Sequence, residues 1–370
     1  MPTPAEREIL KRIRLKGAIT FKEFMEVALY HPEGGYYTSK ERIWGKDGDY
    51  ITNTDVSPVF ARVLAKEFYR MWQLCGSPAE FHFVEAGAGR GSFTEELRST
   101  IEERYPEFFR SLRFVCVDRA VKGEGLKDGI LWLRDIDELE KGFAGIVYSC
   151  ELLDALPFHR VVKREDGLRE LFVSHDGGFE EVENSPSTEE LEIHFVELGI
   201  ELPPLTKAEV SLEAKDWIEK AGGILDRGFV VTVDYGLPAS SLYMEHPCGT
   251  LHCHWRHTVN DDPYQKIGLQ DITGLVDFTS IAMAGRKAGL HTTGFTTQGY
   301  YLLSLDILDE LKCVLPDEKE IYEKVQHNQG IKELIMPGGM GDTLKVLVQH
   351  KGVESPILHG FSIKDMKDRL

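Results

Sequence analysis

The sequence predicts an α/β protein built on a doubly wound, mostly parallel sheet of seven strands. Three observations carry that prediction. Short apolar runs alternate with amphipathic helical stretches, the pattern of repeated βα units. The first run, at His82–Leu97 (HFVEAGAGRGSFTEEL), passes through a glycine turn into a helix. Further runs at Leu112–Val117, Ile130–Arg134, Gly145–Ser149 and Gly228–Val233 are nearly unbroken in apolar residues, as strands buried on both faces are. A late pair, within Thr292–Leu303 and at Leu344–Gln349, completes the seven. The βαβ crossovers should be right-handed.

The chain has 370 residues and a net charge of −18. That balance argues against a nucleic-acid partner, which needs a basic stripe, and leaves room for a basic protein or peptide substrate. No apolar run approaches the ~20 residues of a membrane helix. The six cysteines contain no C-x-x-C pair, which reads as reduced thiols in a cytosol-like compartment, with Cys116 in the core. Glu6–Lys16 mixes acidic and basic residues, fitting a short helix better than a transit peptide. The oligomeric state, homodimer included, stays open.

In chain order, residues 5–30 read as two helices, the second opened by Thr20 and Glu23 with Phe21, Phe24, Met25 and Leu29 on its apolar face. His31–Tyr37 is a turn. Gly45–Ser57 is glycine-rich and polar, and on composition alone a surface loop. Val59–Cys75 is a helix with Val59, Phe60, Val63, Leu64, Phe68 and Trp72 on one side. Ser92 is expected to cap the helix after the glycine turn, with Glu95 completing a capping box. Arg160–Val182 alternates as a β-meander and forms an inserted lobe; Glu189–Leu198 and Lys207–Ala221 read as helical. Residues 237–277 form a long polar insertion after the fifth strand, the sort of segment that shapes a substrate pocket. Its His252, His254 and His257 match no zinc spacing, so no metal is expected. Thr279–Ala288 is a helix ending before Gly289. The domain division expected is 1–58, 59–160, 161–225, 226–350 and a tail at 351–370.

The glycine turn is the main chemical signal. Gly87, Gly89 and Gly91 leave no Cβ in the way of a ligand. The dinucleotide fingerprint would need a third glycine where Ser92 stands. Glu85, at the strand tip, repels a pyrophosphate and attracts an ammonium or sulfonium. S-adenosylmethionine carries both cations and no phosphate, so it is favoured over NAD; a bare strand–helix turn is the competing reading. Asp118, ending the second strand, can accept both ribose hydroxyls. Asp135, after the third, can accept from an adenine amino group while the Ile136 N–H donates to the ring. Glu151 and Asp154 (CELLDALP) stand after strand four, where a doubly wound sheet places its crevice; the competing reading has Glu151 solvated and Asp154 capping a helix.

Taken together, these blocks resemble the MidA-type S-adenosylmethionine-dependent methyltransferases. The carrying residues are His31-Pro32 with Gly35-Tyr36-Tyr37, Gly48–Thr52, Glu85–Gly91, Glu151–Pro157, Asp234-Tyr235-Gly236, Gly249-Thr250-Leu251 with Arg256-His257, Asp271-Ile272-Thr273 with Val276-Asp277-Phe278, and Gly294–Gly299. The resemblance covers nearly the whole chain and implies the class I methyltransferase (Rossmann-like) form of the fold, with an N-terminal helical segment and a substrate lobe. The family's mitochondrial members are complex I assembly factors that methylate an arginine of a complex I subunit, which implies an arginine of a protein as acceptor. The segment at 45–57 folds over the cofactor in the family, so Gly48, Asp49 and Thr52 become cofactor candidates. Glu151 and Asp154 would orient the guanidinium, His257 would take a proton or shape the pocket, and Asp234 would support the site. Three departures stand out: Cys150 where the family has Asn, Asn53-Thr54-Asp55 where it has Ser-Pro-Glu, and Arg119-Ala120 after Asp118. Alternatives are a cofactor-binding assembly protein without turnover and an NAD-dependent oxidoreductase. The compartment implied is the bacterial cytoplasm, or the mitochondrial matrix for a eukaryotic chain.

Overall fold

The computed structural model describes residues 2–39, 53–121, 124–256, 258–313 and 321–370. They form two compact units. One comprises Ile51–Glu151, Ile218–Tyr235 and Gly285–Leu370; the other comprises Met1–Tyr50, Leu152–Trp217 and Gly236–Ala284.

The first unit carries the main sheet. Its strands are β1 (Phe81–Ala86), β2 (Leu112–Val117), β3 (Ile130–Leu133), β4 (Phe143–Cys150), β5 (Leu225–Leu237), β6 (His291–Thr297) and β7 (Leu344–Lys351). They lie in the order β3-β2-β1-β4-β5-β7-β6, parallel except for β7, which runs antiparallel to both neighbours. Sequence-distant strands lie side by side because parallel pairing needs a crossover between partners. Two further strands raise the count to nine rather than seven. Gly125–Lys127 pairs antiparallel with β3 through Asp128 and Gly129, both left-handed at φ 50° and 82°. That is the two-residue Asp-Gly hairpin turn, a signal in plain sight in the sequence. The last two residues of β5, Gly236 and Leu237, pair with Val276–Asp277 within the other unit.

Helix Val59–Leu74 buries the stripe the periodicity predicts, with Val59, Phe60 and Phe68 fully covered. Tyr148 of β4 stacks on Phe93 at 4.5 Å. The same helix also buries Glu67 completely. Gly360 N–H donates to its Oε1 at 3.0 Å, and burial still pushes its pKa up to about 7. A carboxyl raised in this way holds its proton more tightly folded than unfolded. Its destabilising effect therefore grows as pH rises from the ordinary carboxylate range to about 7, and is complete above that. Glu67→Gln should raise stability at pH 8 by on the order of 2 kcal/mol and leave it unchanged at pH 4, read by urea unfolding. Equal midpoints at pH 8 would contradict the assignment.

In the second unit, helices Pro4–Lys16 and Phe21–Tyr30 begin at Thr3 and Thr20, whose side chains accept from Glu6 N and Glu23 N. The expected meander is present as His159–Arg164, Gly167–His175 and Phe179–Asn184. The helix expected over Lys207–Ala221 begins later. Lys207–Val210 is a strand paired antiparallel with His159–Val162, and the helix is Leu212–Ile224. Ala208 and Val210 complete the meander's apolar face, and the Ser211 hydroxyl accepts the Ala214 N–H at 3.1 Å to start the helix. Arg160, 7% exposed, is paired with Glu181 and Glu209 and lies over the Phe21 ring, so its buried charge is compensated. The insertion folds as a small sheet of Thr258–Asn260, His252–Trp255 and Asp271–Thr273. Among the described residues no helix is long and apolar enough to cross a membrane, and no group of His, Cys, Asp and Glu is placed to hold a metal.

Candidate active site

The glycine turn joins β1 to helix Ser92–Arg104. Gly87, Gly89 and Gly91 all have positive φ, at 73°, 54° and 76°. The chain doubles back through Gly87 N–H to Val117 O at 2.9 Å and Gly91 N–H to Ala88 O at 2.7 Å. Gly91 cannot carry a side chain: besides its φ, an added Cβ would lie 2.8 Å from the Trp132 ring.

The expected capping box does not form. The cap residue is Gly91, left-handed and without a side-chain cap bond, and Ser92 is already the first helical residue. The Thr94 N–H, a donor that every helix start leaves unsatisfied, goes instead to Glu85 Oε2 at 3.2 Å, and the Thr94 hydroxyl donates to the same oxygen. A carboxylate reaching across from the strand therefore does what Ser92 was expected to do. In the parallel register Glu85 lies between Cys116 and Tyr148. It is 6% exposed, and burial pushes its pKa up to about 8 against the pull of the two Thr94 donors, with Asp118 adding to the rise. A buried carboxyl in that state ionises when a cation is brought beside it and resists a phosphate.

Asp118 follows β2. Its Oδ2 accepts from Gly89 N–H and its Oδ1 from Ala120 N–H, each at 2.8 Å, which ties the carboxylate to the middle of the glycine turn. Burial moves it above the usual carboxylate range. Each oxygen keeps a lone pair, so the pair of acceptors a ribose diol needs is retained. Asp135 caps the short turn Ile136–Glu138, accepting from Asp137 N–H at 2.9 Å, and Ile136 is buried behind it.

Cys150 ends β4 and Glu151 follows it. Glu151 is left-handed at φ 53°, and its N–H donates to Val233 O at 2.9 Å. A non-glycine residue held there is strained backbone, costing about 1–3 kcal/mol, of the kind that clusters at working sites. Asp234, on β5, is fully buried and its Oδ1 accepts from Tyr235 N–H. Asp154 belongs to the other unit. It is 8% exposed; its carbonyl accepts from Gly274 N–H at 3.1 Å, and the next carbonyl, of Ala155, accepts from the Tyr30 hydroxyl at 3.1 Å. The two carboxylates that the sequence groups thus fall in different units. Gly48, Asp49, Thr52 and His257 lie outside the described residues.

Sequence reasoning missed Thr94 as the partner of Glu85. It also missed Gln298 and Asn53, which are hydrogen-bonded to each other behind Cys150. Gln298 sits inside the Gly294–Gly299 block, but nothing local marks its partner 245 residues away. In the second unit a small cavity of about 20 Å³, room for about one water, is lined by His194, Tyr243 and Asp277. His194 Nε2 lies 2.8 Å from the Tyr243 hydroxyl, which donates to Asp277 Oδ2 at 3.2 Å. Asp277 also caps the helix from Phe278 through Thr279 N–H and Ser280 N–H. Burial pushes His194 down to about 3, so this network is neutral at His194 and closes on itself.

Comparisons with known proteins converge. The profile of an S-adenosyl-L-methionine-dependent methyltransferase family matches residues 63–296. The human mitochondrial protein arginine methyltransferase NDUFAF7 is 26% identical, over 92% of this chain and 82% of its own. Its Drosophila melanogaster homolog is 24% identical, over 94% and 85%. A crystal structure from Burkholderia thailandensis, bound to S-adenosyl-homocysteine, superposes with a TM-score of 0.87 at 28% identity, over 99% of this chain and 96% of that one. A native crystal structure from the same organism gives a TM-score of 0.85 at 28% identity, over 99% of this chain and 96% of that one. The chain belongs to the S-adenosyl-L-methionine-dependent methyltransferase family.

Proposed function

We propose that this protein transfers a methyl group to an arginine nitrogen of a protein substrate, and that the substrate is a subunit of respiratory complex I. The observation that carries the reading is Glu151, a carboxylate in strained left-handed backbone at the carboxyl end of β4, in a chain whose relatives are named protein arginine methyltransferases. The acidic surface implied by a net charge of −18 suits a basic partner. We place the reaction in the bacterial cytoplasm, or in the mitochondrial matrix for a eukaryotic chain; the relatives named are mitochondrial.

The residues present fit the donor. The turn at Gly87, Gly89 and Gly91 would take it without a Cβ in the way, Asp118 would accept the ribose hydroxyls, and Asp135 with the Ile136 N–H would meet the adenine. Glu85 is a buried carboxyl whose ionised form lacks a cation, and the donor's ammonium or sulfonium is one. Gly48, Asp49 and Thr52, outside the described residues, are further candidates for contact with it. When bound, the donor supplies a methyl group on a sulfonium, a good electrophile.

The chain's own residues act on the acceptor. A guanidinium is always protonated, so its attacking nitrogen must be freed of charge. Glu151 accepts its other N–H groups and draws the positive charge towards itself, while fixing the plane of the guanidinium for in-line attack. The nitrogen lone pair forms the new N–C bond as the C–S pair returns to sulfur, and the extra proton leaves the nitrogen to His257. Asp234, fully buried on β5, supports the strand next to β4.

The test is incubation of the purified protein with radiolabelled S-adenosylmethionine and an extract of its own cells lacking the gene. Methylarginine in the hydrolysed product is the expected result. Glu151→Gln should lower its rate about tenfold with S-adenosyl-homocysteine affinity unchanged, since only the acceptor side is altered. Tight S-adenosyl-homocysteine binding with no methylarginine from the wild type would instead select an assembly protein that holds the cofactor without turnover.

A further inference from the structure

Three segments far apart in the sequence meet behind the carboxyl end of β4. Asn53 opens the four-residue helix Asn53–Val56 and is 1% exposed. Its Nδ2 donates to Cys150 Sγ at 3.4 Å, and its Oδ1 accepts from Gln298 Nε2 at 2.8 Å. Gln298, fully buried at the start of helix Gln298–Ser304, donates from the same nitrogen to Leu334 O at 3.1 Å. Two oxygens facing one nitrogen settle which way the Gln298 amide points, and that in turn orients the Asn53 amide. The relay runs from Leu334 through Gln298 and Asn53 to Cys150, the residue before left-handed Glu151.

The backbone around it is packed without slack. A Cβ on Gly330 would lie 2.8 Å from Val56 O, and one on Gly299 would lie 2.8 Å from Gly341 O and 2.9 Å from Ile335 O. Helices Asn53–Val56, Gln298–Ser304 and Ile321–Ile335 are therefore held close at the relay, and its amides cannot shift independently of them. Gln298 supplies two N–H donors, and Asn53 one donor and one acceptor. Neither a carboxylate nor an apolar side chain can take either part. Strained backbone persists only where its surroundings over-determine it, and this relay is one side-chain contact that holds the residue next to Glu151.

We propose that Asn53 and Gln298 are positioning residues for methyl transfer, fixing the Cys150–Glu151 strand end that presents the acceptor-binding carboxylate. The proposal rests on the assignment of Glu151 to the acceptor site made above. A purely stabilising cluster would behave differently: its loss would loosen the whole sheet and leave the end of β4 no worse than the rest.

The test uses the full chain as Gln298→Met, which keeps length and removes the donor, and as Asn53→Ser, a milder change should the first fail to fold. Hydrogen exchange at the Glu151 amide, bonded to Val233 O, is compared with exchange in Phe81–Ala86. The expected result is at least tenfold faster exchange at Glu151 with Phe81–Ala86 unchanged. In the methylarginine assay with cell extract, kcat falls at least tenfold while KM for S-adenosylmethionine stays within threefold, and the double variant is no worse than the worse single one. Unchanged exchange at Glu151, or acceleration spread evenly over the sheet, overturns the proposal. Should the wild type form no methylarginine, the function reading fails, and exchange at Glu151 still decides whether the relay holds the strand end.

Discussion

Gly228→Ala should yield no cooperatively folded protein. Gly228 pairs with Gly145 in the parallel ladder between β4 and β5, at φ 145°. An added Cβ would lie 1.8 Å from Gly145 O. Neither party is a side chain that could swing away, so the two central strands must part or β5 must shift register. On the far side of β4, a Cβ on Gly145 would lie 2.5 Å from His82 O, so β4 has no room to retreat. A clash of backbone against backbone in the middle of the sheet costs more than ~4 kcal/mol, a large share of any domain's stability. The control is Gly223→Ala, in helix Leu212–Ile224 with nothing within 4 Å of the new methyl, which should stabilise by about 0.5–1 kcal/mol. Circular dichroism through a urea titration reads both. A Gly228→Ala protein with the wild-type midpoint would mean the register is wrong.

Glu85→Gln should weaken S-adenosyl-homocysteine binding about a hundredfold, or about 2.7 kcal/mol. Two unit charges about 4 Å apart attract by about 4 kcal/mol at an effective dielectric of 20, and ionising a carboxyl held at about 8 takes back part of that at neutral pH. The glutamine carbonyl can still accept from the Thr94 N–H and hydroxyl, so the helix start should survive. Stability at pH 7 should rise by on the order of 2 kcal/mol, because a buried carboxyl with a raised pKa costs stability there and an amide does not. Weaker binding in a protein at least as stable separates loss of a charge from loss of the fold.

The sheet was legible because strands buried on both faces leave continuous apolar runs. LRFVCV and GFVVTV could hardly be anything else, and the glycine bend between β1 and its helix announced itself through Gly87, Gly89 and Gly91. What escaped depended on partners that local pattern does not record. Lys207–Val210 became a strand because His159–Val162 offers an edge, and its short alternation merges into the helical pattern that follows. Ser92 lost its capping role to Glu85, a residue seven positions earlier on a strand, because the turn between them brings the carboxyl over the helix start. The amides of Asn53 and Gln298 are ordinary residues in sequence and meet only when the strands and helices of this unit assemble. Asn53 and Cys150, 97 residues apart, are hydrogen-bonded to each other.

Whether the buried Glu85 beside the glycine bend ionises to meet the cofactor's positive charge is tested most directly by calorimetric titration of the protein with S-adenosyl-homocysteine at pH 7, in two buffers of different ionisation enthalpy. Release of roughly 0.5–1 proton per ligand bound is predicted, vanishing at pH 9.5 and absent in Glu85→Gln. Tight binding with no proton released at pH 7, or equal affinity in Glu85→Gln, would contradict it.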